Sequence, residues 1–545
     1  MSCTPRISII AIPEKTKVDE KNDANGAVQN TKAADFETAI AAAGCGKFHY
    51  LLLLAIIPGS WASSFDTGNM SMILPSAECD LQLSLFHKGV LNAVTYIGMV
   101  LSGFIWGYVA DVYGRRNILI YGYLADGICN ILSGFSQGFW TLVFFKFLTG
   151  LIISGPYATI MAYCSEFYGA KDRARVPLVV GFSIAFGGIV NAVLAWLVIP
   201  RDWSIVLWDG AFVYNSWRIF LSLCGVPTLF GVVCLSFFPE SPKFLMSQGR
   251  NEEALKVFKR IYKQNTGKSE DDYPIKALEE ERTINVITEL TPNQKDQVTV
   301  PQNPTNPMKE IFYYPHLPRL LLVITLQFCG MLALNTIRLW QPQLFAILDS
   351  FDSVNYSATS DHEPTFCEIL DYSTMAAKNQ TAMRATEEVT ICRNTVVTDS
   401  VYIDIIIVSA TADFFLLLAT VLLNALNHKN LLLISYGVSF LCLVSMNWSA
   451  NALLTLVLAC FFIGLMSTTL NVVIGAAVIL FPTSLRAMAV SLEMVVGRTG
   501  SIIGNLMFPV LLGYGCLAPI VTLAIFILIC VFLTCFLPIS RKEKK

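Results

Sequence analysis

The chain has 545 residues, of which 54% are hydrophobic and only 14% are charged, and its formal net charge is −2. This charged fraction is far below that of soluble domains, and the near-zero net charge gives no support for nucleic-acid binding. The sequence has no GxxxxGK[ST] phosphate-binding loop and no CxxC metal pair, so we expect neither an enzyme nor an ATP-driven pump. The composition predicts an integral membrane protein.

Uncharged or nearly uncharged runs of about 20 residues, the length that crosses a bilayer as a helix, recur along the chain. We predict an all-α membrane protein with twelve spanning helices at 48–73, 89–110, 117–136, 140–163, 177–199, 217–238, 318–347, 401–424, 430–448, 452–480, 488–511 and 516–538. No signal peptide is predicted in residues 1–46, so the first span would be its own insertion signal.

Lysine and arginine are concentrated in the short loops of one side, which is therefore expected to be cytoplasmic, together with both termini. The predicted organisation is a cytoplasmic segment at 1–46, a six-helix bundle at 47–238, a cytoplasmic central loop at 239–317, a second bundle at 318–538 with an acidic exoplasmic loop at 348–400, and a basic tail at 539–545.

Three glycosylation sequons fall on predicted exoplasmic loops, at Asn355, Asn379 and Asn447, which supports the orientation and predicts a glycoprotein. Cys367 and Cys392 share the long exoplasmic loop and are a possible disulfide in an oxidising compartment. Two unpaired thiols are the alternative.

The segment GYVADVYGRR at 107–116 lies between two predicted spans. Its glycines permit close helix packing and a sharp turn, its acid stands at the membrane edge, and its paired arginines anchor the loop in the cytosol. These residues are Gly107, Asp111, Gly114, Arg115 and Arg116. The pattern resembles the loop between helices two and three of the major facilitator superfamily of secondary transporters, which implies a role in gating the cytoplasmic side.

Further segments are similar to the synaptic vesicle glycoprotein 2 and organic-ion transporter branch of that superfamily. They are FETAIAAAGCGKFHY (36–50), LPSAECD (74–80), SEFYGAKDRAR (165–175), NSWRIF (215–220) and FPESPKFLMSQGRNEEAL (238–255). The resemblance implies two six-helix bundles around a central cavity, each built from inverted three-helix repeats. The exoplasmic loop is too short for the long repeat-containing domain of the vertebrate vesicle glycoproteins, so a toxin-receptor role is not implied.

The resemblance also implies a cytoplasmic charge network in each half. The N-terminal half has all of its parts, because Glu166 and Arg173 accompany the acid and arginines of 107–116. In the C-terminal half the corresponding acids are missing, and the positions are occupied by Asn427, His428, Ile479 and a lone Arg486. Two interpretations are open. The protein is either a working transporter with relaxed gating or a protein that no longer alternates between conformations.

A charge at the bilayer centre costs at least about 2.5–3.5 kcal/mol, so each charged residue in a span needs a reason. Arg498 lies about 15 Å inside predicted helix eleven. Its planar guanidinium suits a carboxylate or sulfate, and organic-anion members of the related transporters place a cation in a similar stretch. We predict contact with substrate; a structural pair with Asp404 or Asp413 is the alternative.

Other polar side chains are predicted to line the same cavity, namely Asn335, Arg338, Trp340, Asn471 and Asn505. Asn505 continues the polar stripe of Arg498, and Asn335 and Arg338 share one helix face. Arg338 is near the exoplasmic end of its helix and could extend to water instead. Asn471 could equally hold helices together.

Two charged side chains of the N-terminal half are predicted to couple transport to an ion. Asp66 lies in the outer half of helix one, and Lys146 stands in helix four where relatives usually have arginine. A structural Asp66–Lys146 pair that neutralises both charges is equally open. Asp126 is expected to be structural, and Glu493 to belong to the cytoplasmic gate.

The sequence as a whole predicts a secondary-active transporter that moves a small polar organic solute by alternating access. Three basic groups in the spans favour an organic anion, with a sugar or a cation still open. We expect a monomer in the plasma membrane or an intracellular vesicle membrane, no bound cofactor, and an ion gradient, a proton gradient first, as the energy source. The alternative is a non-transporting receptor or vesicle-trafficking regulator with a protein partner on 1–46 or 239–317.

Overall fold

The structure is a computed structural model that describes residues 33–173, 175–279, 310–351, 364–384 and 397–538. Its helices are α1 Phe36–Ala43, α2 Lys47–Ser60, α3 Ala62–Ala77, α4 Leu85–Tyr113, α5 Arg115–Ser133, α6 Phe139–Ser165, α7 Ala170–Arg173, α8 Val176–Val198, α9 Ser216–Ser236, α10 Pro242–Ser247, α11 Asn251–Thr266, α12 His316–Asp349, α13 Phe366–Arg384, α14 Asp399–Ala425, α15 His428–Met446, α16 Ala452–Leu480, α17 Thr483–Leu512 and α18 Leu517–Thr534. Strands β1, Ser204–Leu207, and β2, Phe212–Asn215, form an antiparallel hairpin.

The predicted all-α membrane fold is confirmed. Within the described residues, ten helices are long and apolar enough to cross a membrane, and α4 adds an eleventh if its two bent parts are one span. Helices α2 and α3 together form the first of these spans, Lys47–Ala77. Helix α5 occupies the place of the predicted third span, and its polar residues Asn117, Asp126 and Asn130 lower its mean hydropathy. With α5 included, the order of helices fits the predicted twelve.

Gly114 makes the tight turn between α4 and α5 possible. Its φ of +93° lies in the region that favours glycine. A Cβ placed there would also lie 2.5 Å from Glu240 Oε2. The predicted role of this glycine in a sharp turn therefore has a direct structural basis.

The two halves of the molecule meet closely at the end of the bundles that is predicted to be exoplasmic. The hydroxyl of Tyr402 on α14 donates to the carbonyl of Met72 at 3.1 Å, and Asn92 Nδ2 on α4 donates to the carbonyl of Leu339 at 3.2 Å. Arg201 and Asp399 add an ion pair at 3.5 Å. A Cβ on Gly89 would lie 2.6 Å from the Asn505 carbonyl oxygen, so α4 and α17 are in backbone contact there. The halves are therefore held together at this end.

We expect the substitution Tyr402→Phe to weaken this contact. Removing one hydrogen bond between the halves costs about 0.5–1.5 kcal/mol, which is roughly a twofold to tenfold shift in population toward an opening of this side. Hydrogen exchange of peptides from the exoplasmic ends of α3 and α4 should become faster. Tyr436→Phe, which changes a buried tyrosine inside the C-terminal half, is the matched control. Unchanged exchange in both variants would contradict the assignment.

Two segments predicted as plain loops contain ordered helices. The described part of the central connection, up to residue 279, folds into α10 and α11, and α11 buries Ala254, Val257, Phe258 and Ile261 against the N-terminal bundle. The exoplasmic loop contains α13. We predicted loops in these segments because their composition is polar, and the apolar faces of the helices are too short to be recognised in it.

The predicted disulfide between Cys367 and Cys392 is wrong. Cys367 is bonded to Cys516 at the start of α18, with a Cα–Cα distance of 5.3 Å. The two residues are 149 positions apart, so proximity in sequence was a poor guide to the partner. Cys392 lies outside the described residues. The bond ties α13 to the end of the C-terminal bundle, and Cys79 on the same side is also disulfide-bonded.

Two of the segments that carried the family resemblance, 74–80 and 215–220, are hydrogen-bonded to each other. Asp80 Oδ2, in the segment after α3, accepts hydrogen bonds from Asn215 Nδ2, Trp217 Nε1 and Arg218 Nη1 at 2.5, 2.7 and 3.4 Å. Arg218 is buried and also donates to the Ser136 carbonyl. These residues fix the start of α9 against the exoplasmic end of the first span and have a structural role.

Candidate functional site

Arg498 lies midway along its span, Leu485–Leu512, and faces the N-terminal half. Its Nη1 donates to Ser154 Oγ at 3.5 Å, and its Cζ lies 5.5 Å from the centre of the Tyr157 ring on α6. The side chain is buried. Among the described residues it forms no ion pair with a carboxylate. The alternative of a pair with Asp404 or Asp413 is not found in this conformation.

Arg338 approaches the same region from α12. One of its nitrogens, Nη2, lies 3.8 Å from the position a Cβ of Gly188 on α8 would take, so the side chain reaches the opposite half. Tyr96 on α4 is buried and within electrostatic range of both Arg338 and Arg498. We did not predict Tyr96, because nothing in an apolar span marks one tyrosine as facing two arginines. The two guanidinium groups and this phenol line one region between the halves.

Asp413 on α14 is an acid within electrostatic range of this region. It interacts with Arg338, and its Oδ2 has no hydrogen-bond partner within the described part of the chain. Asp404 instead lies within electrostatic range of Asp349 near the exoplasmic end. The structure thus separates the two acids, as their spacing on the helix predicts.

Three of the predicted binding residues make contacts inside the C-terminal half. Asn335 Nδ2 on α12 donates to Ser501 Oγ on α17 at 2.7 Å, whereas Asn505 Nδ2 donates to the Ser501 carbonyl of its own helix at 2.8 Å. Trp340 is fully buried and packs on Phe508 with ring centroids 4.9 Å apart. The contact of these three residues with substrate stays a prediction.

Asn471 does not join the other candidates. It is exposed on α16 and donates to the Ser467 carbonyl of its own helix at 2.9 Å. The polar face of α16 that suggested it is real, but its side chain is engaged locally.

Polar residues of α3, α5 and α6 form a network inside the N-terminal bundle. Lys146 Nζ donates to Asn130 Oδ1 at 2.7 Å, and Asn130 Nδ2 donates to Asp66 Oδ1 at 2.8 Å. Asn130 Nδ2 also lies 3.4 Å from Asp126 Oδ2. All four side chains are essentially without solvent exposure. Asp66 and Lys146 are therefore connected through Asn130 and form no direct ion pair in the described structure.

Asp126, expected to be a structural residue on a peripheral helix, belongs to this network. Its Oδ2 and Asp66 Oδ1 both lie within 3.4 Å of Asn130 Nδ2, so the two carboxyl groups are neighbours. Asp66 Oδ2, Asp126 Oδ1 and Asn69 Oδ1 have no hydrogen-bond partner within the described residues. Asn69 Nδ2 donates to Asn130 Oδ1 at 3.5 Å. The proposed coupling pair is thus a five-residue site with three acceptor oxygens unused.

The charge cluster at the cytoplasmic end of α4 is assembled within one half. Arg115 lies 3.1 Å from Asp111 Oδ1 and 3.4 Å from Glu166 Oε1. The Arg116 backbone N–H donates to the Glu240 carboxylate, and its Nη2 donates to the Ser236 carbonyl at 2.8 Å. Burial raises the pKa of Glu166, against the opposing effects of Ser241 and Arg115. Glu240, which we did not predict, is the acid that holds the turn.

Gly107 and Asp111 are free of the C-terminal half in this conformation. Nothing lies within 4 Å of the position a Cβ on Gly107 would take, so this glycine does not mediate a close helix approach here. The Asp111 side chain is 73% exposed. Within the described residues, neither takes part in a contact between the halves, and their gating role stays a prediction.

Arg173 was predicted in the same cluster, but it lies elsewhere. Its Nη2 donates to Glu37 Oε1 at 2.6 Å and its Nε donates to the Tyr168 carbonyl at 3.2 Å. Glu37 Oε2 also accepts from the Ala170 N–H at 3.0 Å. The sequence could not indicate Glu37, which lies more than a hundred residues away. Arg173 fastens α1 to the loop between α6 and α8.

We expect Glu37→Ala to loosen α1. The lost hydrogen bonds join a partly exposed pair and contribute about 1 kcal/mol, which corresponds to a several-fold increase in opening of this segment. Limited proteolysis between residues 33 and 46 should become correspondingly faster. Glu253→Ala makes the same charge change in an exposed pair with Arg250 inside α11 and is the control. Equal cleavage rates in wild type and Glu37→Ala would contradict this role.

The C-terminal half shows no counterpart of the cytoplasmic cluster in its described part. Arg486 Nε is buried without a hydrogen-bond partner, and Ile479 is exposed. Glu493 is fully buried and both of its oxygens are without a partner among the described residues. It makes no contact with the cluster around Arg115, so its predicted place in the gate is not seen in this conformation.

The structure describes the three predicted glycosylation sites to different extents. Asn355 lies outside the described residues, and Asn379 falls on α13, where only the backbone is described. Asn447 directly follows α15, and the hydroxyl of its sequon residue Ser449 is buried and bonded to Thr455. Glycosylation at these positions stays a prediction.

The fold and the charged groups inside its bundles are those of a membrane transporter of the major facilitator superfamily. The model of the family described as "Sugar (and other) transporter" matches residues 52–355, which is more than half of the chain. The chain belongs to this family. It is not an enzyme, because this family and fold are those of transporters.

Among curated relatives, the chain is similar to synaptic vesicle glycoprotein 2A of Rattus norvegicus, with 31% identity over 268 residues, or 49% of this chain and 36% of the relative. Synaptic vesicle glycoprotein 2B of Rattus norvegicus is 32% identical over 43% of this chain and 34% of its own length. The matches span about a third of each relative's length. The predicted resemblance to this branch is confirmed.

Solved transporters share the fold at low identity. The xylose transporter XylE from E. coli, in a partially occluded inward-open conformation, superposes with a TM-score of 0.61 at 15% identity, over 91% of this chain and 100% of that one. A bacterial homolog of the human lysosomal transporter Spinster, inward-facing and occupied, gives 0.59 at 10% identity over 90% and 97%. These likenesses concern the fold alone.

Proposed function

We propose that the protein is a secondary-active transporter of a small polar organic solute that carries an anionic group. The observation that carries this proposal is Arg498, a buried guanidinium at mid-membrane depth that forms no ion pair within the described chain. An uncompensated charge in a bilayer is costly, and an anionic ligand that accepts its hydrogen bonds supplies the missing partner. Arg338 and Tyr96 add a second cation and a hydroxyl beside it.

Alternating access is supported by the asymmetry of the contacts between the halves. The hydrogen bonds and the ion pair at the predicted exoplasmic end cross from one half to the other. The cytoplasmic cluster of Asp111, Arg115 and Glu166 stays within its own half. In the proposed cycle the first set breaks and the cytoplasmic ends of α4 and α17 close together, with Gly107 then in contact.

A proton is the coupling ion that the buried network favours. Asp66 and Lys146 lie within the N-terminal bundle, next to the cavity-lining face of α3, and carry opposite charges on one hydrogen-bonded chain. A change in protonation there alters the charge of the site and therefore its preference for one conformation. The protein would act in the plasma membrane or in the membrane of an intracellular vesicle, with both termini cytoplasmic.

The experiment that tests the substrate class is a thermal-stability screen of the purified protein. Organic anions, organic cations and sugars are added separately at two pH values. A ligand bound at a hundredfold over its dissociation constant stabilises by about 2.7 kcal/mol. We expect stabilisation by an organic anion; stabilisation by sugars or cations alone would overturn the substrate class.

A second candidate function is that of a non-transporting receptor or vesicle-trafficking regulator. It is favoured by the C-terminal half, where Arg486 has lost its acid and Asn427 and His428 replace the expected pair. The relatives named as synaptic vesicle glycoproteins make a vesicle membrane a natural location. A folded protein that responds to no solute class but retains a protein on residues 1–46 or 239–317 would support this candidate.

A further inference from the structure

The buried network of the N-terminal bundle has a charge problem that its geometry can solve. It contains two carboxyl groups, Asp66 and Asp126, but a single ammonium, Lys146. All three are excluded from solvent. With every group ionised, the site would carry one unbalanced negative charge in a low-dielectric interior, which is strongly unfavourable.

Each acid has one oxygen atom without a hydrogen-bond partner in the described chain, Asp66 Oδ2 and Asp126 Oδ1. The second oxygen of each acid lies close to the same nitrogen, Asn130 Nδ2, at 2.8 Å for Asp66 and 3.4 Å for Asp126. The two carboxyl groups are therefore neighbours. One proton between them would satisfy both oxygens and make the site neutral at the same time.

We infer that Asp66 and Asp126 share one proton and that this pair, held by Asn130 and balanced by Lys146, is the proton-binding site of the protein. The shared proton follows from the network alone; its role as the coupling ion rests on the proposed function. The titratable groups that face the site are Asp66 on α3, Tyr123, Asp126 and Cys129 on α5, Lys146 on α6 and Cys224 on α9.

Infrared difference spectroscopy of the full-length purified protein tests the inference, because a protonated carboxyl has a C=O stretch that shifts in D₂O. Spectra of wild type, Asp66→Asn and Asp126→Asn are compared without ligand. Either substitution leaves one carboxylate opposite Lys146, so we expect each to remove the same protonated-carboxyl band. Asp413→Asn, at a buried acid outside the network, is the control and should leave that band in place.

A band that survives both substitutions, or that is lost in only one of them, would overturn proton sharing. Thermal unfolding supplies a second readout if a variant is poorly folded. The single variants are balanced in charge and should unfold close to the wild type, whereas Asp66→Asn/Asp126→Asn isolates the Lys146 charge and should unfold at lower temperature. Loss of the band in both single variants without any solute flux would leave the proton site standing and remove the transport proposal.

A different observation concerns the β1–β2 hairpin between α8 and α9. Its first strand and tip expose Ile205, Val206, Leu207 and Trp208, with Trp208 76% exposed, and Trp203 precedes them at 52%. Both ends of the hairpin enter membrane spans within a few residues. A continuous apolar ribbon of this kind is unfavourable in water.

The ribbon continues a surface that faces lipid. On α5 the exposed side chains Leu124, Ile128 and Leu132 form one stripe, opposite the buried Asp126 and Asn130, and the exposed Phe135 follows just after the helix. Phe135 stacks on Tyr214 of β2 with ring centroids 5.2 Å apart, and the Phe212 ring lies 6.0 Å from that of Trp208. The apolar stripe of the helix thus runs without interruption into the hairpin.

We propose that the hairpin lies in the exoplasmic leaflet of the bilayer, with Trp203 and Trp208 at the depth of the lipid head groups, where tryptophan is enriched. Asp209 at the tip is exposed and would face water. This contact would fix the level of α8 and α9 in the membrane.

Tryptophan quenching in phosphatidylcholine nanodiscs tests the proposal, with bromine on the lipid chains close to the head group as the quencher. Wild type is compared with Trp203→Phe/Trp208→Phe, and with Trp217→Phe as the control, since Trp217 is buried at the same end of the molecule. We expect the double substitution, and not the control, to remove a large share of the quenchable emission. Emission from these two residues that is quenched by aqueous acrylamide and not by the lipid would overturn it.

Discussion

Arg498→Ala is expected to abolish solute transport and to weaken binding of an organic anion by roughly tenfold to a hundredfold. The estimate corresponds to the loss of a charged hydrogen bond, about 1.5–3 kcal/mol, in a buried site. Stabilisation by the anion in thermal unfolding, and uptake into proteoliposomes, are the two measurements. Arg498 lies in the middle of its span and forms no ion pair with an acid in the described chain. Its substitution should therefore weaken ligand binding more than it lowers the stability of the fold.

Two further variants make this prediction specific. Arg498→Lys keeps the charge but loses the planar fork, and should retain part of the affinity. Arg319→Ala removes an arginine whose Nη1 donates to the Leu480 carbonyl at 3.5 Å, far from Tyr96, and should bind like the wild type. An Arg498→Ala protein that binds the anion as tightly as the wild type would show that the guanidinium is structural.

Lys146→Met is expected to cause the largest loss of stability in the N-terminal half. The side chain is fully buried and donates to Asn130 Oδ1 at 2.7 Å. Removing the ammonium leaves the proton-sharing pair of carboxyl groups with one uncompensated negative charge, and breaking a buried charged network costs about 3–5 kcal/mol. Thermal unfolding in detergent should report this as a clear decrease in the midpoint.

The charge argument also predicts a rescue. Adding Asp66→Asn and Asp126→Asn together removes the remaining carboxylate charge and should recover part of the stability lost in Lys146→Met. Lys256→Met, on the exposed face of α11, changes the same residue type and should be neutral. A Lys146→Met protein as stable as the wild type would mean that the network contributes nothing to folding.

The fold was predictable because hydropathy is a local property. Each run of about 20 apolar residues forms a helix in a bilayer whatever its neighbours are. Helix α5 shows where this signal weakens, because its buried face carries Asp126 and Asn130 among apolar residues such as Leu119 and Tyr123. The apolar run at 117–136 nonetheless predicted this helix.

The site was only partly predictable, since its geometry depends on contacts between helices that are distant in sequence. Charges in the spans drew attention to Asp66, Lys146 and Arg498, whose roles stay predictions. Which side chains they face could not be read from spacing. Asn130 between Asp66 and Lys146, and Glu37 opposite Arg173, are separated from their partners by up to 136 residues.

The pairing of Cys367 with Cys516 and the helix in the exoplasmic loop were missed for the same reason. Periodicity assigns a face to a residue on its own helix, and tertiary packing decides what that face meets. Polar residues in apolar spans therefore draw attention to a position but do not indicate which side chains it meets.

Uptake of an organic anion, selected by the stability screen, into proteoliposomes with an imposed proton gradient tests the central claim most directly. Wild-type protein, Arg498→Ala and protein-free liposomes are compared at equal protein incorporation. Transport by alternating access predicts accumulation with the wild type that the gradient accelerates and that Arg498→Ala abolishes. A folded wild-type protein that binds the anion yet moves none of it, under either direction of the gradient, would contradict the account and favour the regulator.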